Sequence, residues 1–179
     1  MAPMPTPRPT SVVARHLTPR PLAADVFARH GEVIEASAGA EQRVINYGNT
    51  VRFHDLAAVD VAADDGRPLV SIFRSTPLPA PVAIQVMERH PLSSQAFYPL
   101  SGRPYLVVVA GPGAFDPDNI EAFVADATQG VNYRAGVWHH YCLALGGVSD
   151  FLVIDRGGRG DDLDEVRLAA DQAVVVDCL

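Results

Sequence analysis

The chain contains no lysine; all 14 of its basic residues are arginine. Schiff-base catalysis needs a lysine amine, so pyridoxal-type and lysine-aldolase mechanisms are excluded for this chain. Cysteine is almost as scarce. Cys142 and Cys178 form no CxxC pair and no ligand cluster. That excludes a structural zinc site built on thiolates, and two lone thiols are read as reduced. No window approaches the roughly 20 apolar residues of a membrane span. The opening, MAPMPTPRPT, alternates proline with small residues and has no hydrophobic core segment, which argues against a secretory signal. The expectation is a cytoplasmic protein with no membrane contact.

What is present fits one domain. A chain of 179 residues with 48% apolar content can bury roughly two-thirds of its unfolded surface, so it needs no disulfide or metal to fold. The formal charge of −7 argues against a nucleic-acid binder, because phosphate neutralisation needs a basic face. Residues 1–20 read as an N-terminal arm, disordered in part, and residues 21–179 as a single domain.

From Pro21 to Glu35 the pattern places Leu22, Val26 and Phe27 on one helical face, with Gly31 as a C-cap. This predicts a short N-terminal helix over 22–29. After Gly48 the character changes to short β-rich runs separated by Gly, Pro and Asp: VRFHDL, LVSIFR, VAIQVM, YLVVVA and FLVID. A weak helix is expected over Glu121–Ala127. No helix of βαβ length separates the runs, so the fold class is mainly β, an antiparallel sandwich or barrel. The run from Arg156 to Asp162 reads as a surface loop, with Asp155 and Arg156 as a structural pair.

Two segments concentrate chemistry-bearing side chains. In MERHPLSSQ, alternation points Glu88 and His90 to one side, shared with Ile84 and Val86. A polar pair on an apolar face needs partners, because unpaired burial costs several kcal/mol. In QGVNYRAGVWHH, only one of His139 and His140 points inward, and the strand register that decides which is not written in the sequence.

These segments resemble a degenerate cupin pattern. Glu88-x-His90 stands at the usual HxH pair, Gln95 at the acid, Gly102 at the glycine, and Gly136 precedes His139 by two residues. The resemblance implies a cupin-like antiparallel β-barrel with Glu88, His90, Gln95 and His139 as metal-ligand positions for a divalent ion (Ni, Mn or Zn). Glutamine for glutamate weakens such a site. The longer strings VRFHDLA, MERHPLSSQAFYPL, QGVNYRAGVWHH and DFLVIDRGG resemble the ureidoglycolate lyase family over almost the whole chain from Pro21. That resemblance implies cleavage of ureidoglycolate to glyoxylate and urea in allantoin breakdown, and a homodimer.

The chemistry suits the residues. Elimination from a carbinolamide needs a base for the hydroxyl proton, a donor for the departing urea, and a positive centre for the carboxylate. His90, His139 and Glu88 are the candidate catalytic groups. Gln95, Asn132, Tyr133 and Trp138 are candidate substrate contacts, and Arg74 a candidate carboxylate clamp. The competing readings are a metal-dependent cupin of other chemistry, an isomerase or dioxygenase, and a non-enzymatic small-molecule sensor.

Overall fold

The computed structural model describes residues 14–177; residues 1–13, with most of the expected arm, and residues 178–179, with Cys178, lie outside them. In chain order the first elements are β1 (Arg15–Leu17), β2 (Arg20–Pro21), α1 (Ala24–Phe27), β3 (Gly31–Ile34), β4 (Gln42–Ile45), β5 (Thr50–Phe53) and β6 (Arg67–Ser75). Next come β7 (Val82–Ile84), β8 (Val86–Arg89), β9 (Gln95–Pro99), β10 (Tyr105–Ala110) and β11 (Glu121–Ala125). The last are β12 (Gly130–Tyr133), β13 (Trp138–His139), β14 (Leu143–Ala144), β15 (Ser149–Gly157), β16 (Asp164–Arg167) and β17 (Val174–Val176). The chain is mainly β, as expected. No helix among the described residues is long and apolar enough to cross a membrane.

The strands form three stacked layers. A cover sheet runs β1-β17-β7, a central sheet β16-β8-β13-β10-β11-β2 with β14 also on β10, and a lower sheet β3-β12-β9-β15-β6. Pairing is antiparallel except at β1–β17 and β2–β11. The central and lower sheets face one another as the two walls of a cupin-like sandwich and do not close into a barrel.

β10 shows why the layers stack. Its six residues, YLVVVA, are all buried, so the usual polar alternation is missing. Tyr105, Val107 and Val109 enter the core shared with Phe97, Val131, Tyr133 and Phe151 of the lower sheet. Leu106, Val108 and Ala110 enter a second core with Val82, Ile84, Val174 and Val176 of the cover sheet. Burying each such side chain stabilises by roughly 1.5–3 kcal/mol, so the central sheet gains on both faces.

Several local expectations change. Arg15–Leu17 and Arg20–Pro21, inside the stretch assigned to the arm, are strands. The helix is only four residues long, and Gly31 is not its cap but the first residue of β3. A Cβ at Gly31 would lie 1.8 Å from the Asn132 carbonyl oxygen, so the close approach of β3 to β12 requires glycine. Glu121–Ala125 is a strand rather than a helix, because it pairs with β10 along five residues and buries Ala122, Phe123 and Ala125. VAIQVM breaks at Gln85, so Ile84 belongs to the cover sheet and Glu88 to the central one. The hairpin β4–β5 stands apart as its own two-stranded sheet, exposed at every residue but Phe53.

Candidate functional site

The site gathers residues from the termini of four strands, β8, β9, β12 and β13. β8 carries Glu88, and His90 follows directly at the strand end. β13 pairs with β8 so that His139 stands opposite Glu88. Directly opposed residues of an antiparallel pair share a face, which settles that His139, and not its neighbours Trp138 and His140, points to the side of Glu88. The turn before β13 is fixed by Gly136, whose φ of 76° favours glycine and whose N–H donates to the His90 carbonyl at 2.8 Å. From the lower sheet, Gln95 of β9 stands opposite Tyr133 of β12. The Tyr133 ring lies flat on the His139 imidazole, with centroids 4.4 Å apart and planes 3° from parallel.

Glu88, His90 and His139 each offer a ligand atom, and these atoms lie within 4.8 Å of one another. The two imidazole centroids are 5.4 Å apart. His90 Nδ1 lies 2.6 Å from the Asp162 carbonyl oxygen, and His139 Nδ1 lies 3.3 Å from the His140 carbonyl oxygen. A carbonyl only accepts, so in both rings Nδ1 carries a proton, and in the singly protonated ring the lone pair is left on Nε2. Both Nε2 atoms are buried without a protein partner, and so is Gln95 Oε1. Glu88 Oε1 lies 3.8 Å from His139 Nδ1.

Electrostatics separate these groups. Burial pushes the Glu88 carboxyl pKa up; His90 opposes this, and Glu165 adds to it. Burial pushes His139 down to about 3, with His90 lowering it further, so His139 is a neutral imidazole. Burial also drives the Tyr133 hydroxyl far above its ordinary value, so it stays protonated. Two imidazoles with anchored Nδ1 atoms and unpartnered Nε2 atoms, beside a carboxylate, fit a divalent cation.

The ureidoglycolate lyase family model matches residues 14–176. This chain belongs to the ureidoglycolate lyase family. A ureidoglycolate lyase of Burkholderia mallei is 55% identical over 152 residues, which cover 85% of this chain and 89% of that one. A ureidoglycolate lyase of Brucella melitensis is 52% identical over 149 residues, covering 83% and 88%.

Against that family frame, the fold brings together Glu88, His90, His139, Gln95 and Tyr133. Three further candidates point elsewhere. Asn132 alternates to the opposite face from Tyr133 and donates to Glu32 Oε2 at 2.8 Å and to the Ala58 carbonyl at 3.0 Å. Trp138 turns into the second core, where its indole N–H donates to the Gly113 carbonyl at 3.0 Å and Arg89 lies over its ring. Arg74 is exposed and clamps Asp150 through two bonds of 2.7 and 2.8 Å, so its fork is already filled. His140 is buried beside the site, but its Nδ1 turns to the Tyr141 carbonyl at 3.0 Å. Arg156 does not pair with Asp155; it bonds the carbonyls of Ala63 and Arg159. Sequence reasoning missed Asp162. Its contact with His90 is made by a main-chain carbonyl, which any residue type carries.

Proposed function

We propose that this chain cleaves ureidoglycolate into glyoxylate and urea at the cluster of Glu88, His90 and His139. Membership of the family supports the reaction. The observation that carries the site is a carboxylate made more basic by burial, beside two imidazoles whose buried Nε2 atoms have no partner. Glu88 accepts the hydroxyl proton. As the oxygen's electrons form the aldehyde, the C–N bond breaks and its electron pair goes to the nitrogen. Glu88 then returns the proton to that nitrogen. Hydroxyl and ureido nitrogen sit on the same carbon, so one carboxylate reaches both, and the products are glyoxylate and intact urea. Gln95 Oε1 accepts from the ureido N–H groups, and Tyr133 holds the His139 ring flat.

The substrate is an anion, yet no arginine is among the residues gathered at the site. His90, His139 and Glu88 would hold a divalent cation (Ni, Mn or Zn), with Gln95 as a weaker donor. When bound, such a cation supplies positive charge to the carboxylate and lowers the hydroxyl pKa.

The working unit is a homodimer in the cytoplasm. Supporting the dimer, β6 is a nine-residue edge strand exposing Val70 at 69% and Ile72 at 54%. A free apolar edge of that length calls for a cover.

The test is incubation of the purified protein with ureidoglycolate, with glyoxylate, urea and ammonia measured before and after chelator treatment. Equimolar glyoxylate and urea are expected, with turnover lost on chelation and restored by a divalent cation. Ammonia released in step with glyoxylate would refute the elimination.

A further inference from the structure

The least expected contacts at the site come from one residue of the β15–β16 connection. Asp162 touches three of four consecutive positions in the turn after β8. Its carbonyl accepts from His90 Nδ1 at 2.6 Å, and its carboxylate accepts from the Leu92 N–H at 2.7 Å and from Ser93 Oγ at 2.7 Å. These partners lie 69 to 72 residues away in sequence, so the contacts are a product of the fold and not of local turn chemistry.

The loop that presents Asp162 is itself pinned. The Arg156 side chain is 1% exposed, and its Nη1 lies 4.0 Å from Asp162 Oδ2. Its Nε and Nη2 donate to the Ala63 carbonyl at 2.9 and 2.8 Å, and Nη2 reaches the Arg159 carbonyl at 2.6 Å. A Cβ at Gly158 would lie 3.0 Å from Arg156 Nη2, and one at Gly66 2.6 Å from Nε, so small residues flank the guanidinium. Downstream, β16 pairs with β8 and places Asp164 against Arg89 at 2.8 Å. The connection is therefore held at both ends, with Asp162 between them.

We propose that Asp162 is a positioning residue for His90: its carbonyl sets the Nδ1–H tautomer and the ring's direction, and its carboxylate locks that carbonyl in place by gripping Leu92 and Ser93. The proposal rests on His90 belonging to the site described above. A histidine side chain in water favours the proton on Nε2. Without the carbonyl at Nδ1 the inward nitrogen would more often carry a hydrogen, and would lose its lone pair for a cation or substrate.

The experiment compares Asp162→Ala, Asp162→Asn and Ser93→Ala as full-length proteins. Two readouts are taken: kcat and KM for ureidoglycolate cleavage, and the His90 tautomer from long-range ¹H–¹⁵N NMR. Asp162→Ala is expected to lower kcat by about 10–100-fold, the scale of losing a partner that orients a ligand. KM should move by less than about threefold, because Asp162 does not meet substrate. The His90 signals should shift toward the Nε2–H form. Asp162→Asn keeps an acceptor oxygen and should restore both readouts to near wild type. Should Asp162→Ala fail to fold, Ser93→Ala decides, with a smaller change in the same direction. Wild-type kcat and tautomer in the deciding variant would overturn the proposal, as would equal losses in Asp162→Ala and Asp162→Asn. The NMR readout needs no substrate, so a Nδ1–H His90 in a protein that does not cleave ureidoglycolate would refute the activity while leaving the positioning role standing.

Discussion

Replacing Glu88 by glutamine should move activity and stability in opposite directions. Glutamine has nearly the same volume, so no cavity opens, but it cannot take a proton. Losing a group that transfers the proton in the transition state costs about 10²- to 10⁴-fold in kcat. Stability follows from the raised pKa. Glu88 keeps only 23% of its side chain exposed and faces Glu165 directly across the β8–β16 pair. Burial, offset in part by His90, raises its folded pKa above the unfolded 4.5. Between those two values the folded state holds the proton more tightly. Stability is therefore lost as pH rises through that window, and the penalty is complete above it. Glutamine removes the penalty, so Tm at pH 7 should rise. The advantage over wild type should vanish below about pH 4.5. A damaged core would instead cost 1–3 kcal/mol, lowering Tm by roughly 2–4 °C per kcal/mol for a chain of this size. The assays are glyoxylate release under saturating substrate and differential scanning calorimetry of the metal-free protein at pH 4 and pH 7. A kcat within about threefold of wild type would refute the proton-carrier role, and a lower Tm at pH 7 would refute the electrostatic reasoning.

His90→Ala should lower kcat by roughly 100-fold or more while circular dichroism stays that of the wild type, since one half-buried ring contributes little to the cores. Trp138→Phe should leave kcat within about twofold and lower stability by about 1 kcal/mol, the cost of the lost indole bond to Gly113, as thermal denaturation would report. Ile72→Asp on the exposed edge strand should convert the dimer mass to the monomer mass in light scattering; a wild-type that is already monomeric across micromolar concentrations would refute the assembly.

Alternation and spacing named most of the residues that the fold gathers. Strand geometry set Glu88 and His90 on one side without saying which, and the cupin-like spacing picked Gln95 and His139 from different strands. The failures are of two kinds. Asn132 and Tyr133 are neighbours on one strand and cannot both face the same cavity; the same holds for Trp138 and His139. Choosing between neighbours required the pairing of β13 with β8 and of β12 with β9, which is a long-range fact. Glu121–Ala125 failed differently, since glutamate and alanine favour helix locally and the partner strand overrides them. In VAIQVM, one apolar run serves two sheets, and no local signal at Gln85 announces the change. Arg74 ends a promising run, but its partner, Asp150, lies 76 residues on. Asp162 is harder still, because its bond to His90 runs through the backbone.

The cover sheet joins segments far apart in the sequence: Arg15 to Leu17 pair residue for residue with Val174 to Val176, and Val82 to Ile84 lie on the other side of that strand. The middle strand of that cover thus pairs on one side with a segment about 160 residues earlier and on the other with one about 90 residues earlier. Leu106, Val108, Ala122 and Trp138 keep their dry face only while both pairings hold. The lid over the central sheet is therefore built from contacts of very long sequence separation, whose loop-closure entropy must be met before the burial they bring.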